Sequence, residues 1–76
     1  MSEQVLSLKR LVARIDEKRP TCRSCGAVLY GSDIGQCGPH DGGYHVEGFE
    51  EKRWVYVTCA SCGYDNSLPK IWEELA

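Results

Sequence analysis

Apolar residues recur along the first quarter of the chain at helical spacing. Val5, Leu8, Leu11, Val12 and Ile15 fall on one stripe of a 3.6-residue period. The pattern predicts an amphipathic helix over 3–19, with Ser2 as its N-cap and Glu3 just inside. Lys18 and Arg19 suit the negative end of the helix dipole, and Pro20 stops the helix. Val5, Leu8, Val12 and Ile15 also fit a and d positions over two heptads, too few to define a coiled coil. Such a stripe needs an apolar partner: the rest of the chain, a second copy, or another protein. Further along the period shortens to two. Ala27-Val28-Leu29-Tyr30 is a short strand candidate, and 44–49 and 53–58 read as two strands. The polar Glu50-Glu51-Lys52 suits the turn of a hairpin between them. Residues 31–43 hold five glycines and a proline, which predicts a loop. At the end, Leu68, Ile71, Trp72 and Leu75 share one helical face, with Asn66 or Ser67 as the cap and Pro69 in the first turn. Trp72 is expected there as a core anchor.

With 76 residues, the chain is the size of one small domain. The organisation expected is an N-terminal helix over 1–20 followed by a compact unit over 21–76. A core this small usually needs a staple, either disulfides or a metal. Five cysteines identify it: Cys22, Cys25, Cys37, Cys59 and Cys62. Four of them form a repeated Thr-Cys-x-Ser-Cys-Gly at 21–26 and 58–63. Two thiolates three positions apart on a tight turn can point at one ion, at about 2.3 Å for zinc, while the turn aims backbone N–H groups at their sulfurs. Glycine after the second cysteine supplies a positive φ without steric cost. Two such turns give Cys22, Cys25, Cys59 and Cys62, the closed tetrahedral set of a structural zinc site; iron also accepts it. An odd cysteine count argues against a disulfide framework, and two pairs in so short a chain argue against a thioredoxin-like redox motif. Cys37 and His40 have ligand-like spacing in the glycine-rich segment, with His45 nearby; the simpler reading is a free thiol and two solvated imidazoles.

Two Cys-x-x-Cys-Gly turns separated by 33 residues that include a β-hairpin pattern resemble the zinc-ribbon families within the rubredoxin-like fold. The resemblance covers about residues 20–65. It implies a small metal-stabilised α+β fold, a zinc ribbon flanked by an N-terminal amphipathic helix and a short C-terminal helix. It also implies Zn²⁺ on Cys22, Cys25, Cys59 and Cys62. Rubredoxins proper are similar in cysteine spacing, but here the second pair carries Ala60 where they carry proline, and they lack the leading helix. Transcription-elongation ribbons bear an acidic pair at a hairpin tip; Glu50-Glu51 lies at a predicted tip, though its neighbours do not match that signature.

Four protein sulfurs leave no metal position for water, and no nucleophile-base pairing or phosphate-cradling loop is evident, so the expectation is a non-enzyme. The formal net charge is −2, divided into +2 over 1–20 and −4 over 21–76. A net-negative body favours a protein partner. Nucleic-acid binding would have to use Arg10, Arg14 and Lys18 on one face of the first helix. A third reading is a rubredoxin-like electron carrier with iron on the four sulfurs. No apolar run approaches the about 20 residues of a membrane span, and the start has no signal-peptide pattern, so a cytoplasmic protein is expected. A monomer or a helix-mediated homodimer is consistent with the stripe.

Overall fold

The computed structural model describes residues 5–75. Helix α1 spans Leu8–Lys18, a 3-10 turn follows at Gly31–Asp33, and strands β1 Ile34–Cys37, β2 Trp54–Thr58 and β3 Asp65–Ser67 lead into helix α2 Leu68–Leu75. The sheet is antiparallel throughout, in the order β1-β2-β3. Val55 and Val57 on the central strand are fully buried, while Trp54, Tyr56 and Thr58 alternate with them and stay partly exposed. That buried face shares one core with both helices. Leu11 and Ile15 of α1, Leu68, Ile71 and Leu75 of α2, and Leu29, Val46, Cys22 and Cys59 complete one core. The stripe of α1 thus finds its partner in its own chain. No helix among the described residues is long and apolar enough to cross a membrane.

Helix α1 is shorter than its periodicity predicts. Ser7 caps it, its hydroxyl accepting the Arg10 N–H at 3.4 Å and its carbonyl the Leu11 N–H at 2.9 Å. The expected cap, Ser2, lies outside the described residues. Leu6 precedes the helix instead of joining it, because it pairs in parallel with Val46: its N–H donates to the His45 carbonyl at 2.7 Å and its carbonyl accepts from Glu47 N–H at 2.8 Å. At the other end Arg19 adopts the left-handed conformation, φ 50°, and buried Pro20 follows.

Two strand assignments also change. Of 27–30, Val28 alone pairs, with Thr21. The expected 44–49/53–58 hairpin is reduced to one antiparallel pair, Tyr44 with Arg53. The central strand instead recruits β1 from the segment read as a loop. The cause is steric. Gly35 lies opposite Tyr56, and a Cβ at Gly35 would come 2.7 Å from the Tyr56 ring, so the residue that weakens the local strand signal lets an aromatic cross the neighbouring strand.

Trp72 is 45% exposed rather than a core anchor. It lies on the flank of the α2 stripe, and its ring stacks on Tyr44 with centroids 6.2 Å apart and planes 11° apart.

Candidate metal centre

The two cysteine turns have the same backbone wiring. In the first, Gly26 N–H donates to the Cys22 carbonyl at 2.9 Å and Cys22 N–H to the Ala27 carbonyl at 2.8 Å. In the second, Gly63 N–H donates to the Cys59 carbonyl at 2.8 Å and Cys59 N–H to the Tyr64 carbonyl at 2.9 Å. Gly26 and Gly63 adopt φ of 78° and 79°, the conformation that a side chain at either position would strain. Glycine thus lets both turns close without backbone strain, which is the local reason for the repeat.

Together they bring Cys22, Cys25, Cys59 and Cys62 into one cluster, with all four Sγ atoms within 4.8 Å of one another. Cys22 and Cys62 sulfurs are 3.6 Å apart, and Cys25 and Cys59 sulfurs 3.5 Å. A tetrahedron with metal–sulfur bonds of about 2.3 Å has edges of about 3.8 Å, so the set fits a four-coordinate metal. The separations are far beyond a disulfide bond of about 2.05 Å, and all five cysteines are free thiols. Both zinc and iron accept such a donor set.

The surroundings favour negative charge at some sulfurs and resist it at others. Burial pushes the Cys22 thiol up, but N–H groups of Cys25 and Ser24, the Asn66 amide and the Cys62 thiol outweigh it and bring the group down to about 6. The Ser24 N–H lies 3.3 Å from the Cys22 sulfur. Cys59 is lowered, chiefly by the Cys62 N–H, against the opposing effect of burial. At Cys62 the Tyr64 N–H pulls downward, yet desolvation and the three other sulfurs push the thiol up to about 11. Four thiolates this close repel one another. A cation held by the four sulfurs would supply the charge that lets all of them ionise.

Asn66 joins the two turns. It is fully buried, and its Oδ1 accepts the Arg23 N–H at 2.7 Å while its Nδ2 donates to the carbonyls of Val57 and Tyr64 at 3.3 and 3.2 Å. Asn66, expected as one of two candidate caps for α2 with Ser67, directs its side chain into this bridge. Glu74 fastens the first turn to α2: one carboxylate oxygen accepts from Thr21 N–H at 3.2 Å and from Arg23 Nη2 at 2.8 Å, and the other from the Thr21 hydroxyl at 3.2 Å. Arg23 Nε also donates to the Lys70 carbonyl at 3.0 Å. Sequence reasoning missed both residues. Cys22 and Cys59 sit on the buried side of the cluster, Cys25 and Cys62 on the exposed side.

The other candidates lie elsewhere. Cys37 is exposed at the end of β1. The His40 ring packs on Trp54 with centroids 5.0 Å apart, and its Nδ1 accepts the Gly42 N–H at 3.1 Å. Among the described residues, Cys37, His40 and His45 form no metal-sized group. Arg14 of the basic face donates through Nη1 to the Leu75 carbonyl at 2.8 Å, at the end of α2. Glu51 accepts from Arg53 at 2.9 Å, and the Arg53 guanidinium covers the Phe49 ring.

The chain matches no protein-family model, no curated protein and no solved structure.

Proposed function

We propose that this chain is a small zinc-ribbon protein in which one zinc, held by four cysteines, is structural and the folded surface serves as a protein-binding adaptor. The observation that carries the reading is the four-sulfur cluster, built by two identically wired turns from distant parts of the chain. All four positions come from protein, so the metal has no place for a water nucleophile, and the role assigned to it is to hold the fold. A reduced thiolate site of this kind persists in a reducing compartment, which in this reading is the cytoplasm.

The adaptor role draws support from the surface. Val5, Tyr30, Phe49 and Trp72 are large apolar or aromatic side chains left exposed on a chain of net charge −2. The alternative use of Arg10, Arg14 and Lys18 on nucleic acid is weakened because Arg14 already bonds the end of α2. A second reading, electron transfer by iron on the four sulfurs, is favoured by the exposure of Cys25 and Cys62, which brings the metal close to solvent.

Native mass spectrometry of the purified full chain, with its visible spectrum, tests the metal. One zinc per chain and a colourless protein are expected; a red protein carrying one iron overturns the structural-zinc reading in favour of electron transfer. Binding assays against peptides and against oligonucleotides then separate an adaptor from a nucleic-acid ribbon.

A further inference from the structure

The beginning of α1 and the end of α2 border a groove of about 430 Å³. Its apolar wall is made by Val5, Leu6, Leu11, Trp72 and Leu75, and Arg10 and Arg14 stand along it. Clefts of about 300–1,000 Å³ take small ligands or a few side chains, not a folded domain. Trp72, stacked on Tyr44, offers an aromatic surface that is already held in place.

The charge around the groove runs against the rest of the molecule. The first turn of α1 contains Lys9 and Arg10 and no acidic residue, although the positive end of a helix dipole favours carboxylates. Arg14 stands one turn further on, its guanidinium tethered to the Leu75 carbonyl. Glu47 is the acid that shares the adjoining surface with Lys9 and Arg10. Among the described residues that line the groove and the adjoining surface, Lys9, Arg10 and Arg14 thus stand with one carboxylate, Glu47, on a chain whose net charge is −2. Such a basic rim on an acidic body orients an incoming anionic segment and repels it elsewhere.

We propose that this groove docks a short acidic peptide segment of a partner protein. A bulky apolar side chain of the segment packs against Trp72 and Leu11, and an adjacent aspartate or glutamate pairs with Arg10. Trp and Arg are the residue types that most often dominate such contacts. The proposal rests on the adaptor reading and specifies the chemistry of its partner. Nucleic acid fits less well, since phosphate binding draws on clustered cations and here one of three is already bonded to a carbonyl.

The test displays a random short-peptide library to the zinc-loaded full chain. An enriched peptide is then synthesised with a fluorophore and titrated by anisotropy. Enriched sequences should place Leu, Ile, Phe or Trp beside Asp or Glu. Trp72→Ala and Arg10→Glu should each weaken the peptide by about tenfold or more, as for a hot-spot contact. Lys18→Glu, the same charge reversal at the far end of α1, should leave it nearly unchanged. Zinc content and amide exchange report that each variant is folded. Peptides that bind the parent but ignore both groove substitutions overturn the groove and leave the adaptor reading standing. Enrichment of nothing, together with salt-sensitive binding of oligo-dT that Arg10→Glu removes, overturns both.

Discussion

The side-chain oxygen of Asn66 accepts the backbone N–H of Arg23 at 2.7 Å, across 43 positions of sequence. This bond crosses from the second cysteine turn to the first, and the amide nitrogen of the same side chain holds the carbonyls of Val57 and Tyr64. Replacing Asn66 by alanine leaves these groups without their partner, the Val57 carbonyl in a buried position. The expected loss is about 2–3 kcal/mol of stability in the zinc-loaded protein, read from its urea midpoint. Zinc affinity should fall about tenfold or more by chelator competition, as for residues that orient metal ligands. Retention of both values would show that the turns hold their geometry without the bridge.

Glu74 makes a weaker, partly solvated version of the same tie, with its side chain 34% exposed beside Arg23. Glu74→Ala should cost about 1 kcal/mol, because exposed ion pairs contribute little and the Thr21 bonds supply the rest. Raising the salt concentration should reduce the Arg23 share and leave the Thr21 share. An Arg23→Ala, Glu74→Ala double-mutant cycle in thermal unfolding measures the division.

Gly35 and Tyr56 form another testable pair. A methyl group at Gly35 would overlap the Tyr56 ring at 2.7 Å. Gly35→Ala should therefore destabilise by about 1–3 kcal/mol in the parent chain. In a Tyr56→Ala background the same change should be nearly neutral. Equal costs in both backgrounds would remove the ring as the reason that glycine occupies this strand position.

Zinc uptake and protons should be linked. The metal-free chain, once unfolded, keeps its thiols protonated near their ordinary value of about 8.5, so loading at pH 7 releases close to four protons, measurable with an indicator dye in weak buffer. In the loaded protein the thiols are held as thiolates, with folded pKa values below those of the unfolded chain. The unfolded chain then binds more protons than the folded one, so stability is fully present above the ordinary thiol range and is lost as pH falls. Zinc release on acidification should accompany loss of tertiary structure in one transition.

How legible all this was depends on the range of the physics involved. The cysteine turns are decided within five residues, by spacing and a glycine with positive φ, and the structure brings those four sulfurs together. The stripes of α1 and α2 follow from a local period, and Leu11, Ile15, Leu68, Ile71 and Leu75 are buried as that period implies. The ends of α1 are less local: Leu6 leaves the helix to pair with Val46, forty positions away. Strand β1 was hidden because Gly35 reads as loop, and its value appears only once Tyr56 is opposite it. Asn66 has the chemistry of a helix cap, and nothing nearby in sequence signals that Arg23 will take its oxygen. Trp72 fits the apolar face by spacing, yet the core of so small a domain ends before reaching it.

If one metal joins the two turns, stripping it should unfold the sheet, because structural zinc commonly contributes about 10–16 kcal/mol of apparent binding energy in small domains. Cys25→Ser or a strong chelator is expected to abolish amide-exchange protection across 20–67.

The most direct test is X-ray absorption at the metal edge of the purified full chain. The account predicts a zinc edge and a first shell of four sulfurs at about 2.3 Å. A folded protein without metal, or a shell in which nitrogen or oxygen replaces sulfur, would contradict it.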